Sequence, residues 1–476
     1  LETEADSFVV GGFVLVLCYI NIYRGNVMKF FGTDGIRGKA NEFPFDNKTV
    51  ALIGYVLAEN LDKKGSGILI GRDTRQSGKR ILKALQTGIN AAGVKVVNLG
   101  VLPTPAVSYL LKNNNYQAGI VISASHNPYT DNGIKFFSSK GLKLPDKVEA
   151  KLEKNLIKYI EQKKVLKNNS KIKNLSGKNL IKQYEKFLLS LVPANLLAGK
   201  KVAIDCANGA SSKIAVDVFK KLKATVIVIN NKPDGKNINF NCGALHPEVV
   251  ADVVKKQKAF CGFAFDGDAD RVISVDEKGN VRDGDYFLGV VAKYLKDNGK
   301  LKNNTLVITV MANLGLLKAA KQQKINIVTS KVGDRYVYED LKKYKAILGG
   351  EQSGHIIFKQ LLDTGDGIVS ALQLLNILIK ENKSLSSICS WIKKYPQILI
   401  NQKVKTKIPL EKLPATTKFI KQIEKKLGSD GRVLVRYSGT ENLLRVMIEG
   451  KNKTEIKKLA QQIAKIAVNE IERVKI

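Results

Sequence analysis

The chain has 476 residues, 44% of them hydrophobic and 25% charged, ordinary proportions for a folded protein of roughly three domains. Its 78 lysines and arginines against 43 acids give a formal charge of +35, which raises nucleic acid as a partner. The lysines are scattered, as between Lys163 and Lys182, and the few aromatics do not interleave with them. A solvated basic surface is therefore the better reading, and no specific nucleic-acid partner is expected.

In chain order, Phe8 to Ile20 is apolar but shorter than the roughly 20 residues a membrane span needs. The acidic Glu2, Glu4 and Asp6 before it have the wrong sign for a signal peptide, so no membrane association is expected. Met28 opens a run through Gly32-Thr33-Asp34-Gly35-Ile36-Arg37-Gly38 that reads as a natural start, and residues 1–27 are read as a non-native or disordered extension. The five cysteines are widely spaced and form no Cys-x-x-Cys pair, which argues against zinc or a disulfide framework and for a reducing cytoplasm.

A strand–turn–helix–strand unit then recurs three times. It runs through Ile68–Asp73, Lys79–Ala92 and Val94–Val97, then Val202–Asp205, Lys213–Leu222 and Val226–Ile229, then Leu306–Thr309, Leu314–Gln323 and Ile325–Val328. That order implies parallel pairing with helices on the sheet faces. The tail from about Pro396 lacks the unit and closes on an amphipathic helix from Lys453 to Val474. The predicted fold is α/β: three related mixed-sheet α/β domains (28–177, 178–278, 279–393) and a smaller α+β C-terminal domain (394–476) around a central cleft.

One polar loop lies downstream in each unit and a fourth in the tail. Ser125, after the apolar run Ile120-Val121-Ile122, is a hydroxyl at a strand end; a plain turn is the alternative. No Gly-x-Ser-x-Gly surrounds it, which disfavours acyl transfer. Asp266, Asp268 and Asp270 are carboxylates at alternate positions, a density of hard oxygen ligands that suits Mg²⁺ or Ca²⁺. An EF-hand is rejected, because Arg271 stands where its glycine is required and the flanks read as strands. Arg271 adds a fork suited to phosphate. Glu351, Ser353 and His355 can read adjacent sugar hydroxyls, and His126 and His355 are two of only three histidines. Arg436, Ser438, Gly439 and Thr440 have the composition of a phosphate cradle.

With all four loops in this order, the chain from Met28 to its C-terminus resembles the α-D-phosphohexomutase family. Gly32 to Gly38, Gly350-Glu351-Gln352-Ser353-Gly354-His355 and Lys331-Val332-Gly333-Asp334-Arg335 look most like its phosphoglucosamine mutase branch. The resemblance implies interconversion of glucosamine 6-phosphate and glucosamine 1-phosphate through a phosphorylated Ser125 and a 1,6-bisphosphate, feeding UDP-N-acetylglucosamine and cell-wall precursors. A phosphomannomutase or phosphoglucomutase of the same family is the alternative. It also implies one Mg²⁺ per site, held by Asp266, Asp268, Asp270 and an oxygen on Ser125. Glu351 and Ser353 would hold sugar hydroxyls, and Arg436 to Thr440 with Arg445 the non-reacting phosphate. Arg37, Lys135 and Arg271 would line the reacting centre, with Lys135 or His355 moving the proton and His126 as a further contact. The partner is a phosphohexosamine, and the chain is expected as a monomer or homodimer. Ala269 and Asn442 depart from the family pattern, which more often has glycine and proline there.

Overall fold

A computed structural model describes residues 29–32, 34–61, 66–167, 172–438 and 442–473. The expectation for residues 1–27 lies outside that set, as do Thr33 and the cradle residues Gly439 and Thr440.

Four sheets follow one another along the chain. The first has seven strands in the order Phe31–Gly32, Gly35–Lys39, Asp131–Ser138, Ala118–Ile122, Ile68–Arg72, Val96–Val101 and Leu175–Ser176. The second runs Val281–Arg282, Val272–Val275, Cys261–Phe265, Lys201–Asp205, Thr225–Ile229, and the third Asn326–Ser330, Thr305–Thr309, Leu348–Gly350, Ile356–Phe358. In each, a central strand (Ile68–Arg72, Lys201–Asp205 or Thr305–Thr309) has a parallel neighbour on both sides. One of those neighbours then turns back as an antiparallel hairpin. The turn of that hairpin is the polar loop in all three sheets, carrying Ser125, the aspartates and Glu351 in succession.

The strands form because their sequences are apolar on both sides. Ala118–Ile122, Cys261–Phe265 and Thr305–Thr309 are buried at every position, as strands covered by helices on both faces must be. The strand expected at Val94–Val97 instead runs Val96–Val101, because the Val94 N–H is still donated to Ile89 O and closes the preceding helix. On one face of the first sheet the helices Asn47–Glu59 and Gly78–Ala91 pack backbone to backbone. A Cβ on Gly88 would lie 1.7 Å from Ala51 O, and one on Gly54 2.6 Å from Leu85 O.

A single apolar core joins the first three sheets, drawing Leu69 and Phe137 from the first, Val202 and Phe263 from the second, and Leu306 and Leu348 from the third. The fourth sheet is antiparallel (Gln397–Lys403, Leu443–Glu449, Arg432–Tyr437) and builds its own core with the helices Pro414–Leu427 and Lys453–Arg473. Its attachment to the third sheet includes polar contacts. Glu449 Oε2 accepts the Leu314 N–H at 3.0 Å, the Arg432 guanidinium donates to Ala312 O, and Asn313 bonds both N–H and C=O of Tyr395. Among the described residues no helix is long and apolar enough to cross a membrane.

The glycine contact between the two helices predicts that Gly88→Ala overpacks the first domain. A loss of about 1–3 kcal/mol is expected from forcing the helices apart. Calorimetry should show a lowered melting temperature, with accelerated hydrogen exchange confined to those helices; an unchanged melt would contradict the packing.

Candidate active site

The Ser125 loop is held by charge that is out of contact with solvent. Ser125 itself has φ +52°, a left-handed conformation costing on the order of 1–3 kcal/mol in a non-glycine residue. It persists because its neighbours over-determine it. The Ser125 N–H is donated to Ser123 Oγ at 2.9 Å, and its carbonyl accepts from Arg75 Nη2 at 3.1 Å and Asn239 Nδ2 at 2.8 Å. Arg75 is 1% exposed, and its guanidinium also donates to the carbonyls of Asn127, Pro128 and Asp131. Its Nε donates to Asp73 Oδ2 at 2.8 Å, and the same oxygen accepts from Ser123 Oγ at 2.7 Å. Thus the first sheet supplies the loop and the arginine that shapes it, while Asn239 comes from the second.

The Ser125 hydroxyl donates to Asp266 Oδ2 at 2.6 Å. The two loops touch through backbone, since a Cβ on Gly267 would lie 2.6 Å from Ser125 O. Carboxylate oxygens of Asp266, Asp268 and Asp270 all lie within 4.8 Å of one another. Asp268 Oδ2 accepts from Thr104 Oγ1 at 2.5 Å and Lys135 Nζ at 2.8 Å, and Lys135 also reaches Asp270 Oδ2 at 3.3 Å. Burial and the charges of Asp270 and Asp268 push the Asp266 carboxyl well above the usual range. Burial alone would raise Asp268 too, but the Lys135 ammonium and the Lys135 and Thr104 hydrogen bonds bring it well below. Asp268 Oδ1 and Asp270 Oδ1 are buried without a hydrogen-bond partner. Two unpartnered carboxylate oxygens beside a third carboxylate are what a hard cation satisfies, so the residues present fit Mg²⁺.

Lys135 is 2% exposed. Burial would lower its pKa, yet Asp268, Asp34 and Asp270 hold it well above the ordinary lysine value. These carboxylates favour its charged form. Burial, then Arg271, pushes the His126 imidazole down to about 4, so it is neutral near pH 7. Its Nδ1 lies 3.3 Å from Ser125 Oγ and 3.1 Å from Arg271 Nη1. Arg37 joins the group through Asp34, 2.8 Å away, and Asp34 also meets Lys135 at 3.2 Å and Lys143 at 2.6 Å.

From there the ion pairs continue into the third sheet. Lys143 Nζ is 2.7 Å from Asp334 Oδ2, which lies 3.6 Å from His355 Nε2. Glu351 Oε1 accepts the Gly333 N–H at 3.0 Å and Oε2 the Ser353 hydroxyl at 3.3 Å. In the fourth sheet Arg436 and Arg445 sit directly opposite each other on antiparallel strands, and Arg445 Nη2 donates to Ser438 Oγ at 3.4 Å. Burial and then the Arg445 charge lower the Arg436 pKa, while Glu351 is near enough to oppose them. Like charges in cross-strand register are destabilising unless an anion sits between them.

The structure thus brings Ser125, His126, Asp266, Asp268, Asp270, Arg271, Lys135 and Arg37 into one cluster, and the Lys143–Asp334 ion pair links to it the loop of His355, Glu351 and Ser353. Asp73, Arg75, Thr104, Asn239, Lys143 and Asp334 were not singled out as site residues in the sequence. Their only local signal is position, since Asp73 and Arg75 follow the carboxyl end of a parallel strand.

The phosphoglucomutase/phosphomannomutase family models match across the chain: α/β/α domain I at residues 28–163, domain II at 182–279, domain III at 283–395, and the C-terminal domain at 399–466. A phosphoglucosamine mutase from Caldicellulosiruptor saccharolyticus is 47% identical over 445 residues, covering 92% of this chain and 98% of its own. Among solved structures, a putative phosphomannomutase from Thermus thermophilus superposes with a TM-score of 0.74 at 22% identity, covering 92% of this chain and 98% of its own. Aspergillus fumigatus N-acetylphosphoglucosamine mutase, solved with GlcNAc-6P and magnesium, gives 0.66 at 18% identity, covering 97% and 100%. At those identities the two structures speak for the fold.

Because Arg75 neutralises Asp73 and saturates four loop carbonyls, Arg75→Met should destabilise by about 3–5 kcal/mol, the cost of leaving a buried charge unpaired. Hydrogen exchange should rise across residues 123–131. Native protection of that loop in the variant would contradict the bracing role.

Proposed function

The chain belongs to the phosphoglucomutase/phosphomannomutase family of α-D-phosphohexomutases, and from that premise we propose that it is an isomerase interconverting glucosamine 6-phosphate and glucosamine 1-phosphate. The observation that carries the reading is the Ser125 hydroxyl 2.6 Å from Asp266, inside the three-carboxylate cluster. The amino-sugar preference is supported by the 47% identical relative.

In the working enzyme Ser125 carries a phosphoryl group. Asp266, Asp268 and Asp270 would hold Mg²⁺, which when bound supplies positive charge against the phosphoryl oxygens. Transfer of the phosphoryl group to O1 of glucosamine 6-phosphate breaks the bond to Ser125 Oγ and forms the bond to O1. The O1 proton must leave, and His355 is proposed as its acceptor in the neutral imidazole form, in which its Nε2, 3.6 Å from Asp334 Oδ2, makes no ion pair. Lys135, Arg37 and Arg271 meet the developing charge as fixed cations. The 1,6-bisphosphate then presents its 6-phosphate to Ser125: the P–O6 bond breaks as a bond to Ser125 Oγ forms, the proton taken from O1 is returned to O6, and glucosamine 1-phosphate leaves.

Between the two transfers either phosphate must be held away from Ser125. Arg436 and Arg445, with Ser438 beside them, suit that task because two opposed guanidiniums attract an anion but impose no sugar stereochemistry. Glu351 and Ser353 offer acceptors to adjacent sugar hydroxyls. The four described cysteines are buried thiols, which supports action in a reducing cytoplasm.

Purified protein is expected to carry phosphate on the peptide containing Ser125. The Ser125→Ala variant should carry none and lose at least about 10³-fold in kcat, as removal of a nucleophile does. Full activity in that variant would end the mechanism. Chelation should abolish turnover and added Mg²⁺ restore it. Glucosamine 6-phosphate should be turned over faster than mannose or glucose 6-phosphate; the reverse order would move the assignment to the neutral-sugar mutases.

A further inference from the structure

Resting on the mutase reading, we propose that Lys143 is a positioning residue: gripped between Asp34 and Asp334, it sets the gap between the phosphoryl-carrying loop and the sugar-reading loop. Lys143 follows the antiparallel strand of the first sheet and is bridged back to it through Phe137. Its ammonium lies 2.6 Å from Asp34 Oδ1 and 2.7 Å from Asp334 Oδ2, and all three side chains are only about a fifth exposed.

Each carboxylate faces two ways. Asp34 gives its other oxygen to Arg37 and Lys135, so it belongs to the reacting centre as much as to the bridge. Asp334 opens the helix Asp334–Lys343, stands 3.6 Å from His355, and follows Gly333, whose N–H holds Glu351. One ammonium therefore joins the shell around Ser125 to the shell around the sugar. Among the described residues, the other ion pairs between the first and third domains are weaker by placement. Lys112–Asp363 has a lysine 45% exposed, and Arg335–Asp146 an aspartate 83% exposed, so both are screened by water. The reaction needs the sugar, held by the third domain, to meet a phosphoryl group carried by the first. A misplacement of about 1 Å between such groups can cost about 10²-fold in rate.

The test combines kinetics with a distance measured in the absence of turnover. Spin labels on Lys151→Cys and Lys342→Cys, two exposed helical sites on either side of the bridge, should give a narrow separation in otherwise wild-type protein. In Lys143→Met the distribution should broaden and lengthen. The kcat should fall about 10-fold or more while KM for glucosamine 6-phosphate moves less than about 3-fold, because ground-state contacts remain on the third and fourth domains. Lys143→Arg should recover part of kcat, and Asp334→Asn combined with Lys143→Met should cost little beyond Lys143→Met alone. Wild-type separation together with wild-type kcat in Lys143→Met would overturn the proposal. So would wild-type separation with a lowered kcat, which would place Lys143 on the substrate rather than on the domains. If unmodified protein fails to turn over glucosamine 6-phosphate but Lys143→Met still widens the separation, the substrate assignment fails and the bridge stands.

Discussion

Three buried carboxylates held within 4.8 Å of one another are the constraint around which the rest of the site is arranged. Like charges so close repel strongly at low dielectric, and burial adds to the cost of keeping them ionised. The protein answers with Lys135 against Asp268 and Asp270, Arg271 beside Asp270, and the Ser125 hydroxyl on Asp266. Two carboxylate oxygens still lack a hydrogen-bond partner, and a divalent ion would complete the balance. The charge that makes the cluster unstable on its own would suit it to a cation and a phosphoryl group together.

The fold puts these groups together by repeating one device. In three sheets a parallel strand runs into an antiparallel hairpin, and the hairpin turn carries the polar groups: an alcohol, then the carboxylates, then Glu351 and Ser353, proposed to meet sugar hydroxyls. A shared apolar core fixes those three turns relative to one another. The fourth domain keeps a separate core and is tied on by Glu449, Arg432 and Asn313. That division suits a reaction in which the sugar must turn over while its remaining phosphate stays held.

Much of the fold was legible because fully buried strands leave continuous apolar runs such as Ile120-Val121-Ile122, and amphipathic helices separate them. The parallel pairing followed from the order of elements. What the order could not give was that each polar loop occupies the same hairpin turn, since this depends on the antiparallel return strand. In the site, Ser125 and the aspartates stood out as dense, short motifs. Arg75 did not, because its acceptors lie some fifty residues away in sequence and only folding brings them to one guanidinium. Asp34, Lys143 and Asp334 were hidden for the same reason, each an ordinary charge until seen as a chain. Lys135 was visible as a candidate proton carrier, but the three carboxylates that keep it charged come from two separate loops.

Anomalous diffraction from crystals grown with Mn²⁺ in place of Mg²⁺ tests the central interaction most directly. A single peak should lie among the carboxylates of Asp266, Asp268 and Asp270, within coordination distance of an oxygen on Ser125. No peak there, or one away from Ser125, would contradict the view that charge balance in this cluster organises the site.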